Sequence, residues 1–156
     1  MHRPNQTKHR RGTTTVEAAF VLPVFFFFVF AIIEFAHAQL VNSLLSSACR
    51  NGARLGAVEG TTTEQVVGRV DQTMGSAIDA AAVSVFVKDA SVYDSGEAPP
   101  TTGAGIEALA DVEVADAEPR QMFVVRARVP YNDVALVPMP FMNGVILQSQ
   151  AFMRHE

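Results

Sequence analysis

The 156-residue chain carries a net charge of −4, and its charges are segregated along the sequence. Four Lys/Arg residues precede Gly12 and all sixteen Asp/Glu residues follow it, so the chain beyond Gly12 alone would carry −8. This acidic balance argues against nucleic acid as a partner of the downstream part. The length fits one small domain with a modest core. Cys49 is the only cysteine, which excludes an intramolecular disulfide and a cysteine-based zinc site.

A basic N-terminus is followed by a long apolar run. The residues from Ala18 to Ile33 carry no charged or hydrogen-bonding side chain, and five of the eleven Phe lie between Phe25 and Phe30. With its flanks the run approaches the ~20 residues that cross ~30 Å of hydrocarbon. Pro23 would kink this helix, which membrane helices tolerate better than soluble ones. Because positive flanks mark the cytoplasmic side, we expect one membrane-spanning helix with its N-terminus inside.

A cleavable secretory signal is the alternative interpretation of this run. Ala36-His37-Ala38 fits the small-x-small cleavage pattern and would give a mature chain beginning at Gln39. Against it, the apolar region exceeds the usual ~7–15 residues, and Glu17 and Glu34 bracket it. The alternative predicts a Sec-exported extracytoplasmic binding module, or a signal-anchored one if no cut occurs.

Glu17 stands near the beginning of the apolar helix, where burying a charge costs a few kcal/mol unless it is paired or neutralised. One interpretation is that a Glu in the first turn answers the helix dipole, worth ~0.3–1 kcal/mol. The other starts from a cut between Gly12 and Thr13. The new α-amino group of one copy would then pair with Glu17 of a neighbouring copy and set the helices in register.

The order of basic residues, Gly12, Glu17 five residues later and an apolar helix with Pro23 resembles the type IV prepilin leader and cleavage site. The chain is similar to the TadE-like pseudopilins of the tight adherence (Flp pilus) systems, strongly over residues 10 to about 60 and weakly near the end. The segments that carry this resemblance are Val16-Glu17-Ala18, Leu22-Pro23, Ile33-Glu34-Phe35, Ala48-Cys49-Arg50-Asn51-Gly52-Ala53-Arg54 and Ala151-Phe152-Met153-Arg154-His155-Glu156. It departs from the pattern at Cys49, usually a second Ala, and in its long polar leader.

The resemblance implies a bitopic inner-membrane protein with its C-terminal domain in the periplasm or outside the cell. It implies cleavage between Gly12 and Thr13 by a membrane aspartic prepilin peptidase, and a structural role in Flp or type IVb pilus assembly or secretion. The implied partners are that peptidase, other pilin-like subunits, the tight adherence membrane machinery and membrane lipid. No cofactor, small-molecule substrate or nucleic acid is expected.

Beyond the span the helical pattern continues to about Val58, which predicts one helix of roughly 45 residues, ~65 Å long, ended by Gly60. Ala48, Gly52 and Gly56 form a small-residue stripe that permits close helix approach. Arg50 and Arg54 form a second line at i, i+4. This line is either a solvated face or, as we expect, a partner of the acidic outer domain or of a neighbour. The resemblance places Arg50, Gly52 and Arg54 at the junction between the helix and the domain.

The remaining sequence predicts a small α+β domain. A capping box at Thr61 to Glu64 opens a second helix that runs to about Ala80. Strands are expected at 83–88, 122–129 and 145–153, with a short uncertain one at 109–114 and a turn-rich loop at 89–105. Arg126 and Arg128 should face solvent or the acidic stretch. Residues 134–142, with Pro138 and Pro140, should loop across a sheet edge.

The expected fold class is therefore α+β, a long N-terminal helix carrying a second helix packed on a short antiparallel sheet. We divide the chain into a basic leader at 1–12, a transmembrane helix at 13–38, its extension at 39–60 and an outer domain at 61–156. The sequence offers no catalytic residue and no metal site, because its four His are dispersed and the acidic stretch 111–118 lacks calcium-loop spacing. Glu17 and Glu34 would lie ~25 Å apart and cannot form an acid/base pair. We expect Glu34 to be an interfacial residue answered by His37, or one that packs in the assembly.

Overall fold

The computed structural model describes residues 11–96 and 98–156, and the side chains from residue 14 onward. Most of the expected basic leader, residues 1–10, lies outside the described residues. The helices are α1 (Arg11–Gly56), α2 (Thr63–Met74), α3 (Gly103–Glu107) and α4 (Tyr131–Val134), and the strands are β1 (Ser84–Asp89), β2 (Met122–Pro130) and β3 (Ile146–Arg154). Short 3-10 turns occupy Ala80–Ala82, Ser91–Tyr93, Val114–Asp116 and Pro140–Met142. The expected α+β class, with one long N-terminal helix and an antiparallel sheet, is confirmed.

The first helix, α1, is a single run of 46 residues that contains Pro23. At 1.5 Å per residue it is about 70 Å long. It ends at Gly56, before the expected stop at Gly60, which instead takes a left-handed backbone angle in the following turn. The N-terminal part of α1 projects alone, whereas its C-terminal part forms one wall of the outer domain.

The second helix, α2, packs against α1 through Val66, Val70 and Met74, which are all buried. Its capping box consists of Thr62 and Gln65, one residue later than expected, because the Gln65 side chain accepts from the Thr62 amide as a Glu would. The helix ends at Met74 instead of near Ala80.

The three strands form one antiparallel sheet in the order β1-β2-β3. One face packs on α1 and α2 and contributes Phe123, Val125, Ala127 and Val129 to the main core. The opposite face is covered in part by α3 and the segment around Ala90, which enclose Val124 in a smaller cluster. The core thus lies between the sheet and the two long helices.

The expected strand at 109–114 is wrong, since this segment makes only an isolated bridge between Asp111 and Lys88. Its polar groups bind the beginning of α2 instead. The Thr63 hydroxyl donates to the Val112 carbonyl, and the Glu113 carboxylate accepts from the Thr63 amide at 2.7 Å. This bond, with a second from the Ala115 amide, holds the pKa of Glu113 below its usual range. Part of the acidic stretch therefore anchors a helix.

The expectation that Arg126 faces solvent or the acidic stretch is also wrong. Arg126 is 3% exposed and pairs with Glu107 of α3 at 3.0 Å. Its guanidinium also donates to Gln148 and Gln150 on β3. Arg128 pairs with the other Glu107 oxygen at 2.7 Å. One carboxylate on α3 therefore pairs with both arginines of β2.

Candidate functional site

The N-terminal part of α1 presents an exposed apolar surface. Between residues 14 and 33 every side chain is exposed except those of Val29 and Ala31, which are partly covered. These 20 residues extend about 30 Å, the thickness of a bilayer's hydrocarbon core. By length and composition α1 is a candidate membrane span. The outer domain covers α1 from Glu34 onward, which lies inside the span of 13–38 expected from the sequence.

The predicted cleavage site lies at the beginning of α1. The backbone of Gly12 and Thr13 is helical, and Glu17 is exposed on the second turn. Glu17 makes no ion pair with any side chain described between residues 14 and 156. The residues before Arg11 lie outside the described part of the chain, and the helix-dipole interpretation of Glu17 stays a prediction.

Glu34 lies where the outer domain first meets α1. It is 2% exposed, and its Oε2 accepts from the Val137 amide at 2.9 Å. Its Oε1 has no hydrogen-bond partner among the described residues. Glu34 is therefore covered by the outer domain and not exposed at the end of the span, while His37, one turn later, interacts with it electrostatically as expected. Glu34 is a buried docking residue that binds the backbone of the loop after α4.

The neighbours of Glu34 hold the same loop. His37, one turn later, directs its Nε2 to the Val134 carbonyl at 2.9 Å. Tyr131 is fully buried, and burial together with the adjacent Glu34 raises the pKa of its hydroxyl to about 12. No local pattern predicts this contact, since Glu34 and Val137 are 103 positions apart.

The residues expected at the junction separate into two faces. Gly52 faces α2 so closely that an added Cβ would lie 2.7 Å from the Val70 Cγ2. The predicted close approach along the small-residue stripe is thereby confirmed. Arg50 and Arg54 are exposed, and neither makes an ion pair with the described residues. Their expected pairing with the outer domain of the same chain is wrong.

One of the two exposed arginines, Arg54, borders a groove between the two helices. Arg54 of α1 and Arg69 of α2 line it, together with Asn51, Leu55 and Thr73. Two cations on one open surface favour an acidic partner in another molecule over one in the same chain. The alternative that these arginines contact a neighbour stays a prediction.

Cys49 is buried in the core, where its thiol donates to the Ser149 carbonyl at 3.4 Å. Burial raises its pKa to about 11. The thiolate is the reactive form of cysteine, so this side chain is an inert packing group at neutral pH. Its place between α1 and β3 explains why an unpaired cysteine is tolerated here.

Comparison with protein families gives one match, the family described as TadE-like protein, over residues 12–54. Comparisons with curated proteins and with solved structures give no match. The matched residues fall wholly within α1 and include the predicted cleavage site, Glu17, Glu34 and the junction residues. The resemblance seen in the sequence is therefore confirmed for residues 12–54, which are similar to the TadE-like family, consistent with a pseudopilin of the tight adherence system.

Proposed function

We propose that this protein is a membrane-anchored, non-catalytic pseudopilin that acts as a structural component of Flp or type IVb pilus assembly or secretion. One observation carries the proposal: an exposed Glu17, without an ion-pair partner among the side chains described from residue 14 onward, at the beginning of a 30 Å exposed apolar helix inside a TadE-like segment. A carboxylate at the edge of lipid needs a cationic partner. A neighbouring subunit can supply it.

Processing by a prepilin peptidase would create that partner. A cut between Gly12 and Thr13 makes Thr13 the first residue, so that Glu17 is the fifth and lies in the first turn. We expect co-expression with the peptidase to give a mature N-terminus at Thr13, read by N-terminal sequencing. A persistent Met1 would identify a signal-anchored protein and remove the processing step.

The pairing of Glu17 with a neighbour's α-amino group has its own test. Glu17→Ala should leave cleavage and insertion largely intact and reduce co-purification with pilin-like subunits. Glu59→Ala removes an equally exposed acid beyond the end of α1 and should have no such effect. Equal co-purification of the two variants would refute the register mechanism.

The exposed Arg50 and Arg54 fit a second contact in the same assembly. They lie on the part of α1 that is covered by its own domain on the opposite side, and they are free to meet an acidic neighbour. The proposed setting is the cytoplasmic membrane, with the N-terminus inside and the domain outside, among the tight adherence machinery. External protease on spheroplasts of cells that lack the peptidase should then digest the domain and spare an N-terminal tag.

The secretory-signal alternative predicts a cut after Ala38. Such a cut would remove Glu34 and His37, both of which bond to the outer domain, and would expose the buried Tyr131. This cost favours a helix that stays attached. A mature N-terminus at Gln39 would establish the exported binding module and overturn the pseudopilin proposal.

A further inference from the structure

The loop that covers Glu34 is itself an exposed apolar surface. We call residues 135–146 the outer loop. Its large side chains Leu136, Phe141 and Ile146 are 62%, 64% and 50% exposed. No Asp, Glu, Lys or Arg occurs between residues 134 and 153, in a chain with 18% charged residues. A loop exposed to water is expected to carry charged residues. An uncharged loop with exposed apolar side chains therefore indicates a surface that contacts an apolar environment.

The outer loop lies at the end of the exposed apolar part of α1. The Val137 amide binds Glu34, which follows directly on the last residue of the 30 Å exposed stretch. Phe141, Met139 and Met142 line one small pocket with Phe35 and Ala31. Ala31 is almost one helical turn on the membrane side of Glu34. The loop therefore reaches the depth at which the apolar span ends.

The backbone of the outer loop is suited to the boundary between lipid and water. The Tyr131 amide donates to the Val145 carbonyl at 2.9 Å, and the Met142 amide donates to Met139 at 2.9 Å. Pro138 and Pro140 have no amide to satisfy. Irregular backbone does not occur exposed to lipid within the hydrocarbon itself, so the loop fits the interfacial layer above it.

We propose that the outer loop lies in the outer-leaflet interface of the same bilayer that α1 crosses, and that lipid acyl chains and headgroups cover Leu136 and Phe141. The lipid surface around α1 is continuous with this loop through Phe35, which is itself 63% exposed. The domain then contacts the membrane at two places and cannot swing freely about α1. The inference rests on the membrane insertion of α1 and not on its processing.

The chain contains no Trp, so single Trp substitutions give unambiguous fluorescence. The full chain would be reconstituted in phosphatidylcholine vesicles with or without bromine on the acyl chains. Phe141→Trp and Leu136→Trp should each lose about half or more of their emission in brominated lipid, since interfacial side chains lie ~5–10 Å into the headgroup and acyl boundary.

Phe152→Trp is the matched control, as Phe152 is 37% exposed on β3 and about 20 Å along the strand from Ile146. Its emission should not change. Phe27→Trp, in the middle of the exposed helix, reports insertion of α1. The inference is overturned if the Phe27 variant is quenched but either loop variant is quenched no more than the Phe152 control. That result leaves the membrane span of α1 intact. Absent quenching of the Phe27 variant overturns both. The inference is also overturned if the Phe141→Trp emission is blue-shifted, increases with the protein-to-lipid ratio and is not quenched by brominated lipid. That result would show that a second copy of the chain, and not lipid, covers the outer loop.

Discussion

Replacing Gly52 by Ala should measure how tightly α1 and α2 are packed. An added Cβ would lie 2.7 Å from Cγ2 of Val70 and 3.5 Å from Val66. Val70 is β-branched and fully buried, so it cannot easily rotate away. Overpacking of this kind costs ~1–3 kcal/mol, whereas exchanging Gly for Ala inside a helix contributes ~1 kcal/mol of stability.

Gly68→Ala separates these two effects. Gly68 lies inside α2, and an added Cβ would meet no atom within 4 Å. This variant should be stabilised by ~0.5–1 kcal/mol, because only the helix-propensity effect remains. The difference in unfolding free energy between the two variants is then the packing cost, ~1–3 kcal/mol.

Cys49 provides the assay for both glycine variants. Its thiol is fully buried in the main core and becomes accessible when the domain unfolds. Pulse alkylation of the full chain in detergent micelles across a urea series gives the unfolding midpoint. We expect the midpoint of Gly52→Ala below that of Gly68→Ala. Equal midpoints would refute the close helix approach.

Three further predictions concern buried polar groups. Glu34→Ala leaves the Val137 amide without its acceptor, at a cost of ~1–3 kcal/mol, and hydrogen exchange at that amide should accelerate. Arg126→Met removes the buried partner of one Glu107 oxygen while Arg128 still pairs with the other, and it should cost ~1–3 kcal/mol in urea unfolding. Arg154→Met, which breaks an exposed pair, should cost under ~1 kcal/mol. Similar costs for the two variants would contradict the buried network. The Cys49 thiolate population at pH 7 should be about a hundredfold below that of an ordinary thiol, which slows alkylation of the native protein accordingly. Because the folded pKa of about 11 lies above the unfolded value of 9.0, stability is fully present below pH 9 and falls as the pH rises from 9 to 11, by roughly 2–3 kcal/mol, and Cys49→Ala should remove this part of the slope.

Local patterns predicted the elements of this fold well. The uninterrupted helical periodicity of α1 and the β-branched alternation of β1 are properties of neighbouring residues, so the sequence displays them directly. The small-residue stripe also predicted the close approach of a second helix, and Gly52 and Gly56 both lie against Val66 of α2. The capping box of α2 was predicted correctly in type, but it lies one residue later than predicted.

Long-range contacts were the part that local patterns could not predict. Arg126 alternates like a solvent-facing residue on β2, and only the fold brings Glu107 and the β3 glutamines to it. Glu34 sits in an apolar run like an interfacial residue, and only the fold brings Val137 to it. In both cases the deciding partner is distant in sequence. Pro138 and Pro140 predicted a loop at 134–142, and the stretch of twenty uncharged residues between Asp133 and Arg154 is a second signal at the same place.

The contact between Glu34 and the outer loop fixes how α1 is rotated about its own axis relative to the outer domain. Seventeen residues separate Glu17 from Glu34, and at ~100° per residue the two side chains point about 100° apart around the axis of α1. Because the domain grips α1 from Glu34 upward, it cannot rotate without breaking the Val137 bond. A neighbouring subunit that reaches Glu17 must therefore approach α1 about a quarter-turn around its axis from the outer domain. It can do so from one side of the helix but not from the other. The outer domain thus determines the angle around α1 from which the next subunit can bind.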